Sequence, residues 1–272
     1  MPNIPVTGDA AVWLLSQYHD GPCEDAGTGK CGTAATYIGP FKRFCNPCAL
    51  RRQAKADLAD QFRDRQLNFK AAIDAGLVLE ETRRCTFEES RPEVEQRNEY
   101  NYAYLRDWTG GENIMLYGAV GAGKSYAARC VLVKAALDFG WTVSETSGFR
   151  LISESKSRHW DKGAHHVDAW RTTRLLLIDD LDKAEYKTHE LYYLRDILDR
   201  RAGNNRRTIV TANMDMQGLH EHLCRLPGVN RVAVDACLDR LAPLRETNMA
   251  GDSLRWNQLS GNPGSFNTGD AK

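Results

Sequence analysis

The sequence predicts an α/β fold in which helices flank a parallel sheet. After Gly110-Gly111, short apolar runs alternate with helical segments, a pattern typical of a parallel sheet covered on both faces. Three of these runs are followed directly by residues suited to binding phosphate or metal. The composition agrees, because 42% apolar and 26% charged residues are ordinary values for a globular chain.

The composition changes along the chain predict four parts. Residues 1–80 form an N-terminal cysteine module with a basic helix, and residues 81–112 form a linker and a helix. Residues 113–256 form the α/β core, and residues 257–272, rich in Gly, Asn, Ser and Asp, form a disordered tail.

The apolar pattern places the elements of these parts in chain order. A long polar helix is predicted over residues 49–75 and ends at Gly76, and a second helix over 93–108 is begun by Pro92. The predicted core strands are 113–117, 141–145, 174–179 and 208–212. The predicted core helices are 124–139, 187–201, 216–223 and one around 231–241.

A glycine-rich sequence joins the first core strand to the helix after it. The pattern G-x-x-x-x-G-K-[ST] is matched by Gly118, Ala119, Val120, Gly121, Ala122, Gly123, Lys124 and Ser125, and Tyr126 follows. Glycines let the backbone wrap a phosphate, and a helix N-terminus directs unpaired N–H groups at it. Lys124 adds a positive charge and Ser125 can ligate Mg²⁺, so we predict a nucleotide site rather than a simple glycine turn.

Two later strands end in polar side chains at the same predicted edge of the sheet. The run Leu175-Leu176-Leu177-Ile178 is followed by Asp179 and Asp180, and the strand 208–212 is followed by Asn213. We expect Asp179 to hold Mg²⁺, Asp180 to polarise the attacking water and Asn213 to orient that water or contact the γ-phosphate. A solvated acidic turn and a turn asparagine are the plainer alternatives.

Together these motifs resemble the DnaC/DnaI/IstB group of AAA+ ATPases, over about residues 85–255. The resemblance rests on the glycine-rich loop, the Asp-Asp pair, the strand ending at Asn213, Cys237-Leu-Asp-Arg240-Leu241, the helix 191–201 and the late segment 251–255. It implies a P-loop AAA+ core that hydrolyses ATP with Mg²⁺. Asp180 departs from the Glu of many AAA+ proteins, which implies slow turnover.

The same resemblance implies partners. Arg240 would be an arginine finger that contacts the γ-phosphate bound by a neighbouring subunit, so the protein would form an ATP-dependent oligomer. If the resemblance is set aside, the sequence around Arg240 predicts only a surface arginine. Single-stranded DNA and a hexameric replicative helicase are the implied partners, during initiation of DNA replication. Candidate DNA contacts are Lys156, Arg158, Lys162, Arg206 and Arg207.

Four of the eight cysteines lie in the N-terminal part. Cys23, Cys31, Cys45 and Cys48 include one tight C-x-x-C pair, and four thiolates make a closed, structural Zn²⁺ site. His19 is a possible substitute ligand. Residues 41–70 contain eight basic and three acidic side chains. This stretch can bind phosphates or form a solvated helix face with pairs such as Asp60–Arg63. The resemblance to helicase loaders implies a protein partner for the module, rather than DNA.

Other features limit where the protein acts. Lys+Arg and Asp+Glu both number 36, so any attraction to nucleic acid is local. No apolar run is long enough for a membrane span and no signal peptide is visible, so we expect a cytoplasmic protein of a bacterial cell or a phage-infected host.

Two further hypotheses stand beside the helicase loader. One is an IstB-like transposition helper that acts on duplex DNA. The N-terminal cysteines are evidence against this hypothesis. The other is a zinc-stapled adaptor that uses ATP binding as a switch and hydrolyses little.

Overall fold

The computed structural model describes the backbone of residues 37–38, 43–44, 46–156 and 160–251, and the side chains of residues 53–154 and 166–251. The chain divides into two compact units, Met1–Asp64 and Arg65–Lys272. Within the described part of the chain, no helix is long and apolar enough to cross a membrane.

The first unit contains two short strands and the start of a long helix. Strand β1 (Tyr37–Ile38) pairs antiparallel with β2 (Arg43–Phe44), and helix α1 (Asn46–Asp74) follows. The helix confirms the polar helix predicted over 49–75, and Asp60 and Arg63 form the expected ion pair at 3.3 Å. After α1, Gly76 adopts a positive φ of 68°, as a helix-ending glycine does.

The second unit is built on a five-stranded sheet in which every pair of neighbours is parallel. Its strands lie in the order β4-β5-β6-β3-β7. Their bounds are β3 (Asn113–Tyr117), β4 (Val143–Ser147), β5 (Leu175–Asp179), β6 (Arg207–Ala212) and β7 (Leu244–Asn248). Because the strands are parallel, all their carboxyl ends lie at one edge of the sheet, where α/β proteins bind ligands.

Helices cover both faces of this sheet, as the sequence predicts. They are α2 (Pro92–Arg97), α3 (Glu99–Asp107), α4 (Lys124–Leu137), α5 (Gly148–Lys156), α6 (Trp160–Thr172), α7 (Thr188–Gly203), α8 (Met216–Arg225) and α9 (Arg231–Leu238). The apolar side chains alternate along β5: Leu175 and Leu177 enter the core that contains α4, whereas Leu176 and Ile178 enter the core beneath α7. Burial on both faces explains why β5 has an unbroken apolar sequence.

The helix predicted over residues 93–108 is two helices. It begins at Pro92 as expected, but Asn98 interrupts it with φ −123° and ψ 28°. The Asn98 amide donates to the carbonyls of Val94 and Ala250 at 3.0 and 3.1 Å, and its oxygen accepts from Ala250 N at 2.7 Å. The two bonds to Ala250, far along the chain, outweigh the continuation of the helix.

Among the described strands and α-helices of the second unit, three were not predicted. Strand β7 has the polar sequence Leu-Arg-Glu-Thr-Asn and lies at the edge of the sheet beside β3, where burial on both faces is not required. Helices α5 and α6 lie in the polar stretch between the second and third core strands. These elements were not predicted because their polar sequences lack the apolar periodicity on which the prediction relied.

An aromatic cluster supports the edge of the sheet opposite the carboxyl ends and provides a test of the packing. Trp141 contacts Trp108 edge to face, with ring centroids 5.9 Å apart. Gly110 has φ +93°, and a Cβ on it would lie 2.3 Å from Trp141 Cη2. Gly111, beside it, has no atom within 4 Å of such a Cβ.

We therefore expect Gly110→Ala to lower the free energy of unfolding by about 2–4 kcal/mol, through steric overlap and backbone strain. Gly111→Ala should change it by no more than about 1 kcal/mol. Urea unfolding followed by tryptophan fluorescence would measure both variants. Equal effects of the two substitutions would contradict this account of the cluster.

Candidate functional site

The glycine-rich loop between β3 and α4 forms an open cradle at the carboxyl edge of the sheet. Gly118, Gly121 and Gly123 have φ values of 137°, 82° and 92°, a region that side-chain-bearing residues rarely adopt. A Cβ on Gly118 would lie 2.4 Å from the carbonyl oxygen of Met249. Helix α4 begins at Lys124 without a side-chain cap, so its first N–H groups are available to an anion.

The side chain of Lys124 is buried and has no carboxylate among its hydrogen-bond partners. It is 5% exposed, and its ammonium donates to the carbonyls of Gly118 and Ala119 at 2.9 and 2.8 Å and to Asn213 Oδ1 at 3.1 Å. Burial lowers the pKa of Lys124, because the charged form loses water. A buried cation at the positive end of a helix is suited to receive a phosphate.

Asp179, at the end of β5, lies beside Ser125 at the start of α4. Its Oδ1 accepts hydrogen bonds from Ser125 Oγ at 2.7 Å and from Thr211 Oγ1 at 2.6 Å. A hydroxyl and a carboxylate are oxygen ligands that Mg²⁺ prefers, together with water and substrate phosphates. The two predicted magnesium ligands are thus adjacent, and their chemistry fits the ion.

Asp180 follows Asp179 with a positive φ of 51° and faces the cleft. Its backbone N–H donates to Thr211 Oγ1 at 2.8 Å, which fixes the turn. Its carboxylate forms an ion pair with Lys183 at 2.7 Å. The side chain that we predict to polarise water therefore has a cation beside it.

Asn213, directly after β6, contacts Lys124 through its oxygen. Its amide nitrogen donates to Asp182 Oδ2 at 2.7 Å. The amide thus connects the lysine of the glycine-rich loop to the turn after β5.

The remaining predicted nucleotide-binding residues surround these groups. Ala122 is buried, Val120 is exposed and lines the cleft, and Tyr126 also lines it. The Tyr126 hydroxyl donates to the carbonyl of Thr86 at 2.9 Å, and burial raises its pKa to about 12. It is a neutral hydrogen-bond donor at physiological pH.

Many of these residues line a cleft of about 300 Å³, and among its lining residues cationic side chains outnumber carboxylates. Its cationic side chains are Arg91, Lys124, Arg129 and Lys183, against the single carboxylate of Asp180 among the lining residues described. The chemistry of this set fits a magnesium-bound polyphosphate, because the cations and the open helix end match its negative charge.

A charged network lies behind the cleft and was not predicted from the sequence. Glu145 on β4 is 2% exposed and accepts from Thr82 Oγ1 at 2.6 Å and from Arg129 Nε at 2.7 Å. Arg129 also contacts Glu81 at 2.8 Å and Asp179 at 3.9 Å. A polar Glu inside a predicted strand was the available signal, but its partners lie on other elements.

Arg240 lies apart from this group. It is in a short 3₁₀ turn, Asp239–Leu241, after α9, is not a lining residue of the described cleft, and forms ion pairs with Asp199 of α7 and with Asp239. The position leaves its predicted role in a neighbouring subunit untested.

Several predicted residues fall outside the described part of the chain. They include Cys23, Cys31 and Cys45, and of Cys48 only the backbone is described, within α1. The zinc site therefore stays a prediction, and in residues with described side chains no cluster of three or more His, Cys, Asp or Glu could hold a metal.

Of the basic side chains suggested for DNA contact, some are described and others are not. Those of Lys156, Arg158 and Lys162 are not described. Arg206 and Arg207 donate to the carbonyls of Arg171 and Gly110 at 2.7 and 2.6 Å. These two lie at the amino end of β6, at the opposite edge of the sheet from the cleft.

The buried ammonium of Lys124, which hydrogen-bonds to no carboxylate, leads to a prediction about stability and binding together. We expect Lys124→Met to lower the affinity for Mg²⁺-ATP at least about 100-fold, since a charge-assisted phosphate contact is lost. The ligand-free protein should lose no more than about 1 kcal/mol of unfolding free energy, because a desolvated cation is removed as well. Calorimetric titration and urea unfolding would measure the two effects.

Lys134→Met is the matched control, because Lys134 lies on the same helix and outside the cleft. It should leave ATP affinity unchanged. Wild-type affinity in Lys124→Met would contradict a phosphate-binding role for Lys124.

Solved structures that match the chain include two shorter proteins that it covers almost completely. The structure titled DnaI is 20% identical, with 66% of this chain and 98% of that chain covered and a TM-score of 0.48. The DnaC helicase loader is 15% identical, with 62% and 99% covered and a TM-score of 0.46.

Longer proteins also match. AMPPCP-bound DnaA from Aquifex aeolicus is 18% identical, with 68% of this chain and 57% of that chain covered and a TM-score of 0.47. This chain spans 53% of another match, a DNA replication initiation factor, so it covers little more than half of either protein. No curated protein sequence matches the chain.

A family model decides the membership of the chain. The model of the IstB-like ATP binding proteins matches residues 53–261, which is more than half of the sequence. The matched region contains the whole parallel sheet, the glycine-rich loop and the acidic end of β5. The resemblance predicted from the motifs is confirmed, and the chain belongs to the family of IstB-like ATP-binding proteins.

Proposed function

We propose that this protein hydrolyses ATP in the cleft and uses the cycle to load a hexameric replicative helicase onto single-stranded DNA. The observation that carries the ATPase proposal is Lys124, a buried cation bonded only to carbonyl and amide oxygens. Beside it, Ser125 and Asp179 offer two oxygen ligands at one point. A phosphate would bind to Lys124, and a metal ion would bind to Ser125 and Asp179.

In this proposal the loop and the lysine bind the substrate. The N–H groups at the start of α4 and the Lys124 ammonium would hold the β- and γ-phosphates of ATP. Ser125 and Asp179 would hold Mg²⁺, which when bound neutralises charge on the phosphate oxygens. The Thr211 hydroxyl, which donates to Asp179 Oδ1, would keep that carboxylate in place.

Asp180 and Asn213 would act on the attacking water. Both side chains line the cleft, so Asp180 can accept a hydrogen bond from a water and Asn213 can help to orient it. The Lys183 ion pair would have to loosen for Asp180 to take a proton. This requirement agrees with the slow turnover that the Asp at this position implies.

Arg240 would complete the site from a neighbouring subunit. A guanidinium fixed by Asp199 is pre-oriented, and a fixed cation near the γ-phosphate stabilises the charge that develops during transfer. The active form in this proposal is an oligomer that ATP assembles.

The helicase-loading part of the proposal rests on the N-terminal part of the chain. A zinc module made by Cys23, Cys31, Cys45 and Cys48, followed by a basic helix, would contact the helicase, while the ATPase core holds single-stranded DNA. The family match favours one other candidate, a transposition helper that acts on duplex DNA, because the matching model is that of the IstB-like proteins.

Hydrolysis and the trans arginine can be tested in one experiment. We expect Asp180→Asn and Arg240→Ala each to lower ATP turnover at least about 100-fold, since one loses the group that polarises water and the other the transition-state cation. An equimolar mixture should recover a measurable part of the activity, because an Asp180→Asn subunit still offers Arg240 to its neighbour. Asp138→Asn, an exposed carboxylate outside the cleft, is the control.

A mixture with no more activity than its parts would contradict the trans arginine. Wild-type turnover at background despite tight ATP binding, with and without DNA, would favour an adaptor that uses ATP binding as a switch.

The partner is tested by size-exclusion chromatography with the replicative helicase of the source organism, ATP and Mg²⁺. We expect co-migration, and we expect its loss in Cys45→Ser/Cys48→Ser, since two thiolate ligands of the zinc module are removed. Nucleotide binding by that variant is the control for a folded core. ATP-dependent assembly on duplex DNA without a helicase complex would support the transposition helper instead.

A further inference from the structure

A buried carboxylate next to the cleft, Asp182, neither binds ATP nor acts on water in the proposed function. Asp182 is 7% exposed and lies in the 3₁₀ turn Leu181–Lys183, directly after the Asp-Asp pair. Its Oδ2 accepts from Asn213 Nδ2 at 2.7 Å, and its Oδ1 has no hydrogen-bond partner in the described structure. A buried carboxylate with an oxygen that lacks a hydrogen bond lowers the stability of the fold. A functional role for its contact with Asn213 would explain why it is present.

The contact determines how the Asn213 amide is turned. An ionised carboxylate can only accept hydrogen bonds, and an ammonium can only donate them. Asp182 therefore takes the NH₂ end of Asn213, and the Lys124 ammonium takes its oxygen at 3.1 Å. Both neighbours favour the same orientation, and the opposite one would place the NH₂ group against the Lys124 ammonium.

We propose that Asp182 is a positioning residue that holds Asn213 in the orientation needed to recognise the γ-phosphate. The inference rests on the proposed ATPase function and concerns the same cleft. Because Lys124 contacts the Asn213 oxygen, the amide lies next to the place where the terminal phosphate of ATP would bind. Loss of the Asp182 contact would free the amide to rotate and weaken binding of ATP, while ADP, which lacks the γ-phosphate, would bind as before.

The charge of Asp182 has to be separated from its hydrogen bond, since a negative group also acts on the nearby Lys124. Asp182→Asn removes the charge and keeps an oxygen that can accept from Asn213 Nδ2. Asp182→Val removes both the charge and the acceptor. Neither change disturbs the backbone carbonyl of Asp182, which lies 3.0 Å from His222 Nε2 on α8.

The experiment compares the affinities of the purified full chain for ATPγS and ADP, both with Mg²⁺, by calorimetric titration. We expect Asp182→Val to weaken ATPγS binding about tenfold and to leave ADP binding within about twofold of wild type, with Asp182→Asn close to wild type for both. Glu185→Val is the control, because Glu185 is exposed three residues further along the loop. The thermal midpoint of each ligand-free variant shows whether it is folded.

A double-mutant cycle shows whether Asp182 acts through Asn213. In an Asn213→Ala background, Asp182→Val should cause no further loss of ATPγS affinity, because the side chain that it positions is absent. Full additivity would overturn the inference, as would an equal loss of ATPγS and ADP affinity or an Asp182→Asn variant as weak as Asp182→Val.

These failures differ from a failure of the proposed function. If the wild-type chain binds neither nucleotide, the ATPase proposal falls and this inference falls with it. If the wild-type chain binds both nucleotides but Asp182→Val binds ATPγS normally, only the role of Asp182 is overturned.

Discussion

One carboxylate oxygen, Asp179 Oδ1, holds the site together. The strand β6 lies between β3, which leads into the glycine-rich loop, and β5, which ends at Asp179. The start of α4 must therefore reach past β6 to meet β5, and the hydrogen bonds of Asp179 Oδ1 to Ser125 and Thr211 join all three parts. Because β6 is the intervening strand, the residue that follows it, Asn213, comes to lie against Lys124.

The parts of the fold that could be predicted from the sequence are those whose apolar pattern is forced by burial. The strand predicted at 113–117 has the bounds observed for β3, and β5 and β6 are within one residue of their predictions at each end. Strand β7 was not predicted because an edge strand can be polar. The break at Asn98 was not predicted because Asn98 bonds to Ala250, far along the chain. Short-range patterns carry no information about such pairings.

The same limit applies to the site. Lys124, Ser125, Asp179 and Asn213 could be predicted, since each lies at a fixed place in a local motif, and the structure brings them within hydrogen-bond contact. The Arg129–Glu145 ion pair and the Asp182–Asn213 contact could not, because each joins two elements whose proximity only the sheet order determines. Arg240 remains a prediction of the family resemblance, because a single chain cannot contain a contact between subunits.

Three cations of the second unit, of which Lys124 and Arg201 are buried and Arg129 is partly buried, show why Lys124 in particular indicates a ligand. Arg129 lies one turn further along α4, and although burial lowers its pKa, Glu145 and other carboxylates raise it above the usual value overall. Arg201 has no carboxylate partner, and burial lowers its pKa to about 9. Its guanidinium, however, donates to the carbonyls of Trp170 and Thr173 at 2.6 and 3.0 Å.

Those carbonyls lie at the carboxyl end of α6, the negative end of a helix, which stabilises a cation. Lys124 has the opposite setting. It is at the amino end of α4, where the helix dipole is positive, and no carboxylate bonds to its ammonium. Burial alone is therefore no sign of function in this protein, because Arg129 and Arg201 are both compensated by the fold. Lys124 hydrogen-bonds only to neutral oxygens at the positive end of its helix. An anion in the cleft would accept from the lysine and from the start of α4 at once, as a phosphate does.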